Sequence, residues 1–317
     1  MGSPQHSDIH VDKPLSNLSI VLTNPAFKAL ELYPEFFVKN ESDKYYVYKN
    51  REGLSRLNVK RADGTESNTF DFKPTTESYI CQEQALHKIL TDRKMNNADS
   101  PTRLRANAVR LIQSFIDLDH EFDVMDEVSS LAGLTGSTPA VKWNAGSGTI
   151  NIEGDLDTAK QSILDESGAV ANKVLFNDQI KDVVKKDSTL RNLIRYTIQG
   201  DGGQRLLVDG ELPPVMFNLK IVVAASRYNT AQLGQTPSIS RIWDSRAIVG
   251  FVDPSPGEES RTLGLTFTVR GAGVGSGTVK TWRDNPKSGT VYEISKIRVA
   301  KTVASGCGYN LHSVLTG

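Results

Sequence analysis

Residues 100–131, SPTRLRANAVRLIQSFIDLDHEFDVMDEVSSL, form the clearest periodic element of the chain. Ser100 is placed to cap a helix and Pro101 to occupy its first position, where a missing N–H costs nothing. Apolar residues recur at Leu104, Ala108, Leu111, Phe115, Leu118, Phe122, Met125 and Val128, alternately four and three apart except at the last step. At 1.5 Å per residue this predicts about 45 Å of helix, longer than a small domain is wide. A helix of that length acts as a strut, with Leu111, Phe115, Leu118 and Phe122 facing the downstream strands Leu263–Val269 and Val291–Val303. The alternative is a coiled-coil dimerisation helix. Against it stand Gly133, Gly136 and Pro139 directly downstream and the lack of a consistent charge pattern at the flanking heptad positions.

Upstream, residues 1–40 show no sustained period and are punctuated by Pro14, Pro25 and Pro34, so they predict an extended arm that needs another surface to lie on. Between Lys44 and Phe72, two strand-like runs (Tyr45–Tyr48 and Thr69–Phe72) flank a polar middle, predicting a long two-stranded excursion. Such a hairpin is marginal without a covering layer. Its basic cluster, Lys49, Arg51, Arg56, Lys60 and Arg61, is interleaved with Glu52 and Asp63. That pattern suits a solvated face or, more sharply, a contact that sets register with a neighbouring subunit.

Downstream, a Gly/Ser/Thr-rich loop (133–148) leads to a helix over Thr158–Asp165 capped by Asp155 or Asp157, and then to a strand at Lys173–Phe176. Asn177 caps a helix ending at Lys186, and Leu190–Tyr196 forms another. Leu219–Ala225 and Ile242–Val252 are strands separated by the loop Asn229–Ser240, and Asp253–Gly257 closes the lobe. The rest alternates: Leu263, Leu265, Phe267 and Val269, then Val279–Trp282 and Val291–Val303. These predict antiparallel strands laid on the long helix, and an α+β fold.

Composition narrows function by exclusion. The 317 residues hold 37 Lys plus Arg and 37 Asp plus Glu, so no global field draws the chain to nucleic acid or an anionic membrane. No run of about 18 apolar residues predicts a membrane span. Met1–Lys13 lacks the apolar core of a signal peptide, which predicts a cytoplasmic product with Cys81 and Cys307 reduced. The glycine run Gly271–Gly277 has Ser276 where a dinucleotide fingerprint requires its third glycine, and a strand follows instead of a helix. Gly200-Asp201-Gly202-Gly203 also leads into a strand-like run. His120-Glu121 has no second His four residues on, so the zinc-protease pattern fails, and no Gly-x-Ser-x-Gly elbow occurs. No catalytic residue, cofactor or metal is therefore predicted, and the chain reads as something other than an enzyme.

The order arm, hairpin, strut helix, α/β lobe and returning strands resembles the Hong Kong 97-type capsid fold of tailed-phage major capsid proteins. Several stretches strengthen the likeness. Tyr79–His87 is similar to the family's Tyr-x-Cys segment, Lys173–Asn177 with Leu190–Tyr196 to a strand and helices of its A-domain, and Val222–Ala231 with Gln235 and Ile242-Trp243 to its strand, loop and strand. Gly306-Cys307-Gly308-Tyr309-Asn310-Leu311 is similar to its Gly-Tyr ending. The resemblance implies an N-arm (1–40), an E-loop hairpin (41–75), a P-domain first part (76–154) with a spine helix (100–131), a compact α/β A-domain (155–257) and returning P-domain strands (258–317).

It also implies pentamers and hexamers closing into an icosahedral virion shell around non-specifically packaged double-stranded DNA, assembled in the host cytoplasm. Scaffolding and portal proteins are implied as partners, a decoration protein as a further one, and no membrane. E-loops would lie over adjacent subunits, while Gly202, Gly203, Gly234 and Gln235 would form the A-domain tip at the capsomer axis. An encapsulin-like nanocompartment shares the fold and stands as the alternative, with a soluble α/β enzyme as a further rival.

Overall fold

The computed structural model describes residues 10–11, 26–47, 56, 59–69, 75–98, 101–130, 134–146, 150–197, 212–232, 234–257, 260–270 and 278–316. In chain order these form β1 (His10–Val11), α1 (Ala29–Leu32), β2 (Glu35–Val38), β3 (Ser42–Val47), β4 (Thr75–Ile80), β5 (Gln82–Thr91), α2 (Asp92–Asn96) and α3 (Pro101–Ser129). Then come β6 (Thr135–Ser137), α4 (Ile152–Ser167), β7 (Lys173–Asn177), α5 (Asp178–Lys186), α6 (Ser188–Thr197), β8 (Val215–Met216), β9 (Leu219–Ala224), β10 (Arg227–Asn229) and β11 (Ile239–Arg241). The chain ends with β12 (Ala247–Gly250), β13 (Gly264–Val269), β14 (Thr278–Asp284), β15 (Gly289–Thr302) and β16 (Gly308–Leu311).

Two sheets organise the molecule, giving the α+β class expected. The first is built around the 14-residue β15, which pairs antiparallel with β5, β13 and β14; β2 joins β13 in parallel and β1 joins β14. The long helix α3 lies along β15 and β5. The second sheet is mixed, in the order β6-β16-β12-β7-β9-β8. One of its faces packs on α4, α5 and α6 through Leu156, Ile163, Ile180, Val184 and Leu190. Its other face, with Leu175, Val222 and Ile248, meets Val124 and Val128 of α3 and Leu32 and Tyr33 of the arm. The C-terminal half of α3 thus sits between the two sheets.

Local chemistry explains the lobe's helix ends. Asn151 Oδ1 accepts from Gly154 N (3.0 Å) and Asn177 Oδ1 from Ile180 N (2.8 Å), each relieving an unpaired first-turn donor. α4 therefore begins earlier than the predicted Thr158, capped by Asn151; Asp155 instead accepts the indole N–H of Trp143 (2.7 Å). Gly168 closes the same helix at φ +72°, a conformation costly to residues with a Cβ. The predicted cap Ser100 lies outside the described residues.

Four sequence expectations are corrected. The predicted strand Ile242–Val252 is only β12; Ile242 and Trp243 form a bend whose side chains are buried in the second core. The returning hairpin strand among the described residues is Thr75–Ile80, with Ser42 opposite Ile80 and Val47 opposite Thr75; of the predicted run, Thr69 is coil and Phe70–Phe72 lie outside the described residues. The last strand, β16, was placed with the returning strands but pairs with β12 in the second sheet.

The fourth correction concerns the face of α3. Leu111 is 42% exposed and Phe115 50%, whereas Val109, Ile112, Ile116, Val124 and Val128 are buried. Leu118, Phe122 and Met125 pack at the edge of the second core. The apolar spacing that located the helix coincides only in part with its buried stripe: Ala108 and Val128 are buried, Leu111 and Phe115 are not.

Candidate assembly surfaces

The hairpin β3–β4 is anchored at its root and projects beyond it. Tyr79 stacks on Phe267 of β13 with ring centroids 4.5 Å apart and planes 6° apart, and Tyr45 meets the same ring at 5.2 Å. Phe36 adds an edge-to-face contact at 6.0 Å. The root is thus covered by its own first sheet. Cys81 lies in this cluster, where burial pushes its thiol up to about 11 and keeps it protonated.

Beyond the root the picture changes. Residues 59–69 are all exposed and carry no strand pairing; Arg56 is exposed as well, and Val59 is 85% exposed. Of the predicted basic contacts, Arg56, Lys60 and Arg61 therefore face solvent, while Lys49 and Arg51 lie outside the described residues.

The second surface is the loop between β10 and β11. Asn229 Oδ1 accepts from Ala231 N (3.1 Å) and Ser238 N (2.9 Å), and Thr230 N donates to Ser238 O (2.8 Å), so one side chain organises both loop ends. At the tip, Gly234 sits at φ +90° with open space around it, and Gln235 is exposed. Arg227 and Arg241, one on each strand, both hold Asp178 at the start of α5, at 2.6 and 2.5 Å. Burial alone would raise the Asp178 carboxyl, but these two guanidinium groups hold it below its usual value. Gly202 and Gly203 lie outside the described residues.

Between the sheets, α3 carries a polar seam that sequence reading did not assign. Fully buried Glu121 accepts from the backbone N–H groups of Lys28 (3.0 Å) and Ala29 (2.9 Å), from Trp243 Nε1 (2.6 Å) and from Ser226 Oγ (3.2 Å). One carboxylate thereby ties arm, long helix and second lobe together. One turn earlier, Lys296 donates to Asp117 (2.9 Å), and buried Arg298 donates to Ile116 O (2.7 Å) and Gln84 Oε1 (2.8 Å). Beside them His120 Nε2 lies 3.3 Å from Thr266 Oγ1. Burial first, then Arg298 and Lys296, lowers the imidazole well below its ordinary value, so it is neutral. The signal was legible: Glu121 shares a helical face with Val124 and Val128, and a carboxylate on an apolar stripe needs buried donors.

Among the described residues no group of three or more His, Cys, Asp or Glu could hold a metal ion, and no helix is long and apolar enough to cross a membrane. No protein-family model matches the sequence, and no curated protein matches it. Solved structures do. A phage-related protein from Bordetella bronchiseptica RB50 superposes with a TM-score of 0.71 at 20% identity, covering 96% of this chain and 97% of its own. The capsid protein of cyanophage P-SCSP1u gives 0.57 at 10% identity over 87% and 85%. The chain has the fold of phage capsid proteins. That fold is not confined to phages: the SrpI encapsulin of Synechococcus elongatus PCC 7942 gives 0.50 at 12% identity over 91% and 87%.

Proposed function

We propose that this chain is the major capsid protein of a tailed bacteriophage, self-assembling as pentamers and hexamers into an icosahedral shell around double-stranded DNA. The observation that carries the reading is a capsid-type fold shared along nearly the whole chain, with a TM-score of 0.71 to a phage-related protein. In Hong Kong 97-type terms, α3 is the spine helix, the first sheet the P-domain, the second sheet with α4–α6 the A-domain and the β3–β4 excursion the E-loop. The described surfaces suit those roles: residues 59–69 project without cover, and the β10–β11 tip is small and polar enough to crowd around an axis. Its role is structural, with scaffolding, portal and decoration proteins as partners, and assembly takes place in the host cytoplasm.

Gln235→Glu tests the arrangement. In a closed ring each tip meets its copy from the next subunit, so one added charge is repeated five or six times, and like charges brought together are penalised. Ring or shell assembly should fail while the monomer's thermal unfolding is unchanged. Normal assembly at low salt, where repulsion is least screened, would remove this loop from the axis.

The second reading, an encapsulin-like compartment, is favoured by the likeness to SrpI. Purified particles holding a stoichiometric protein cargo in place of nuclease-protected DNA would select it.

A further inference from the structure

The charges of α3 are divided along its length. From Pro101 to Ile116 they are Arg103, Arg105 and Arg110, all exposed; from Asp117 to Ser129 they are Asp117, Asp119, Glu121, Asp123, Asp126 and Glu127, with no Lys or Arg among them. A helix macrodipole favours the opposite arrangement, acids at the N-terminus and bases at the C-terminus. The inward acids have donors: Lys296 for Asp117, four groups for Glu121, and Thr302 N (3.0 Å) with Lys301 (3.8 Å) for Glu127. Asp119 and Asp123, on the exposed ridge, share a single amide, Gln84 Nε2, at 3.0 and 2.8 Å. Burial, and then Asp119 beside it, holds the Asp123 carboxyl above its usual value.

The same ridge presents Leu111 and Phe115, 42% and 50% exposed, and forms one wall of an open cleft of about 750 Å³ against β5. Phe115 is the midpoint of the 29-residue helix. Arg105 lies ten residues before it and Asp126 eleven after, roughly 15 and 16 Å along the axis.

We propose that the exposed ridge of α3 docks against α3 of a second copy, antiparallel, across a twofold axis that passes beside Phe115. The proposal rests on the shell-subunit reading, in which copies must also meet outside their own rings. A twofold contact uses the same patch on both partners, so Arg105 of one copy meets the Asp123–Asp126 end of the other, and the contact occurs twice. The basic half then offsets the acidic half, the two macrodipoles oppose, and the Phe115 rings cover one another at the centre. A parallel pairing would set base against base and acid against acid. The occupant that this pattern fits is therefore a second copy of this chain, reversed.

Cysteine crosslinking tests the geometry, because Cys81 and Cys307 are both buried. Assembled Phe115→Cys protein, treated with a short homobifunctional thiol crosslinker, should run mainly as a covalent dimer. Arg105→Cys and Asp126→Cys should each link poorly alone and at least fivefold better when combined in one chain. Arg105→Asp added to Phe115→Cys should cut the dimer yield several-fold, and Asp126→Arg added to that pair should restore it. Particles seen by electron microscopy without any 115–115 crosslink would overturn the pairing and leave the shell reading standing. A chain that stays monomeric would overturn both.

Discussion

The two sides of α3 invert the usual relation between polarity and burial. Its inward side buries Glu121, His120 and Gln113 beside Ile112, Ile116 and Val124, while its outward ridge exposes Leu111 and Phe115. Inside, two polar contacts fix partner elements: Glu121 binds the arm and Trp243, and the Lys296–Asp117 pair with Arg298 ties β15 to the helix. Outside, apolar groups remain that no described residue of the same chain covers. On this helix buried polarity marks contacts within the subunit, and the exposed apolar surface is the face proposed above to meet a second copy.

Removing the inward anchor should produce the largest effect. Glu121→Ala leaves two backbone N–H groups, an indole and a hydroxyl without their acceptor, and buried donors left unpaired cost about 1–3 kcal/mol each. A loss of more than about 3 kcal/mol in denaturant unfolding is expected, with the arm released first as seen by hydrogen exchange at Lys28 and Ala29. A loss under about 1 kcal/mol would show that the knot contributes nothing.

Next in size is a paired truncation one residue apart. Ile116→Ala, inside the core, should cost about 2–5 kcal/mol, while the half-exposed Phe115→Ala should cost under about 1 kcal/mol in the monomer and act on assembly instead. Equal costs in the monomer would erase the distinction between the faces.

His120 gives the smallest effect, and one that depends on pH. Its folded pKa lies below the unfolded value, so between the two only the unfolded chain takes up the proton. The associated stability is complete above about pH 6.5 and is lost as pH falls toward the folded pKa, by at most about 1.4 kcal/mol per pH unit. His120→Gln should flatten that part of the profile relative to the parent. Identical slopes in both proteins would mean that the ring is accessible to protons in the native state.

How much of this was legible follows from which interactions are local. The extent of α3 was, because a 3.6-residue period repeats over eight turns, and so were the Asn177 cap and the strands β9, β13, β14 and β15, whose alternation or apolar runs need no distant partner to be read. Which face of α3 turns inward was not, because apolar residues lie on three of its sides and a sheet reached through β15 decides among them. The return strand Thr75–Ile80 was not read because its pairing depends on where β3 begins. β16 was assigned to the wrong sheet because its partner β12 lies about 60 residues earlier in sequence. Of the proposed contact surfaces, the loop with Gly234 and Gln235 is suggested by turn chemistry, and the Phe115 ridge only by burial.

Electron microscopy of the purified protein across a concentration series shows whether this chain builds a shell. Rings of five and six copies are expected, free or closed into icosahedral particles, with density for residues 59–69 over a neighbouring subunit. A monodisperse monomer at every concentration would contradict the shell reading.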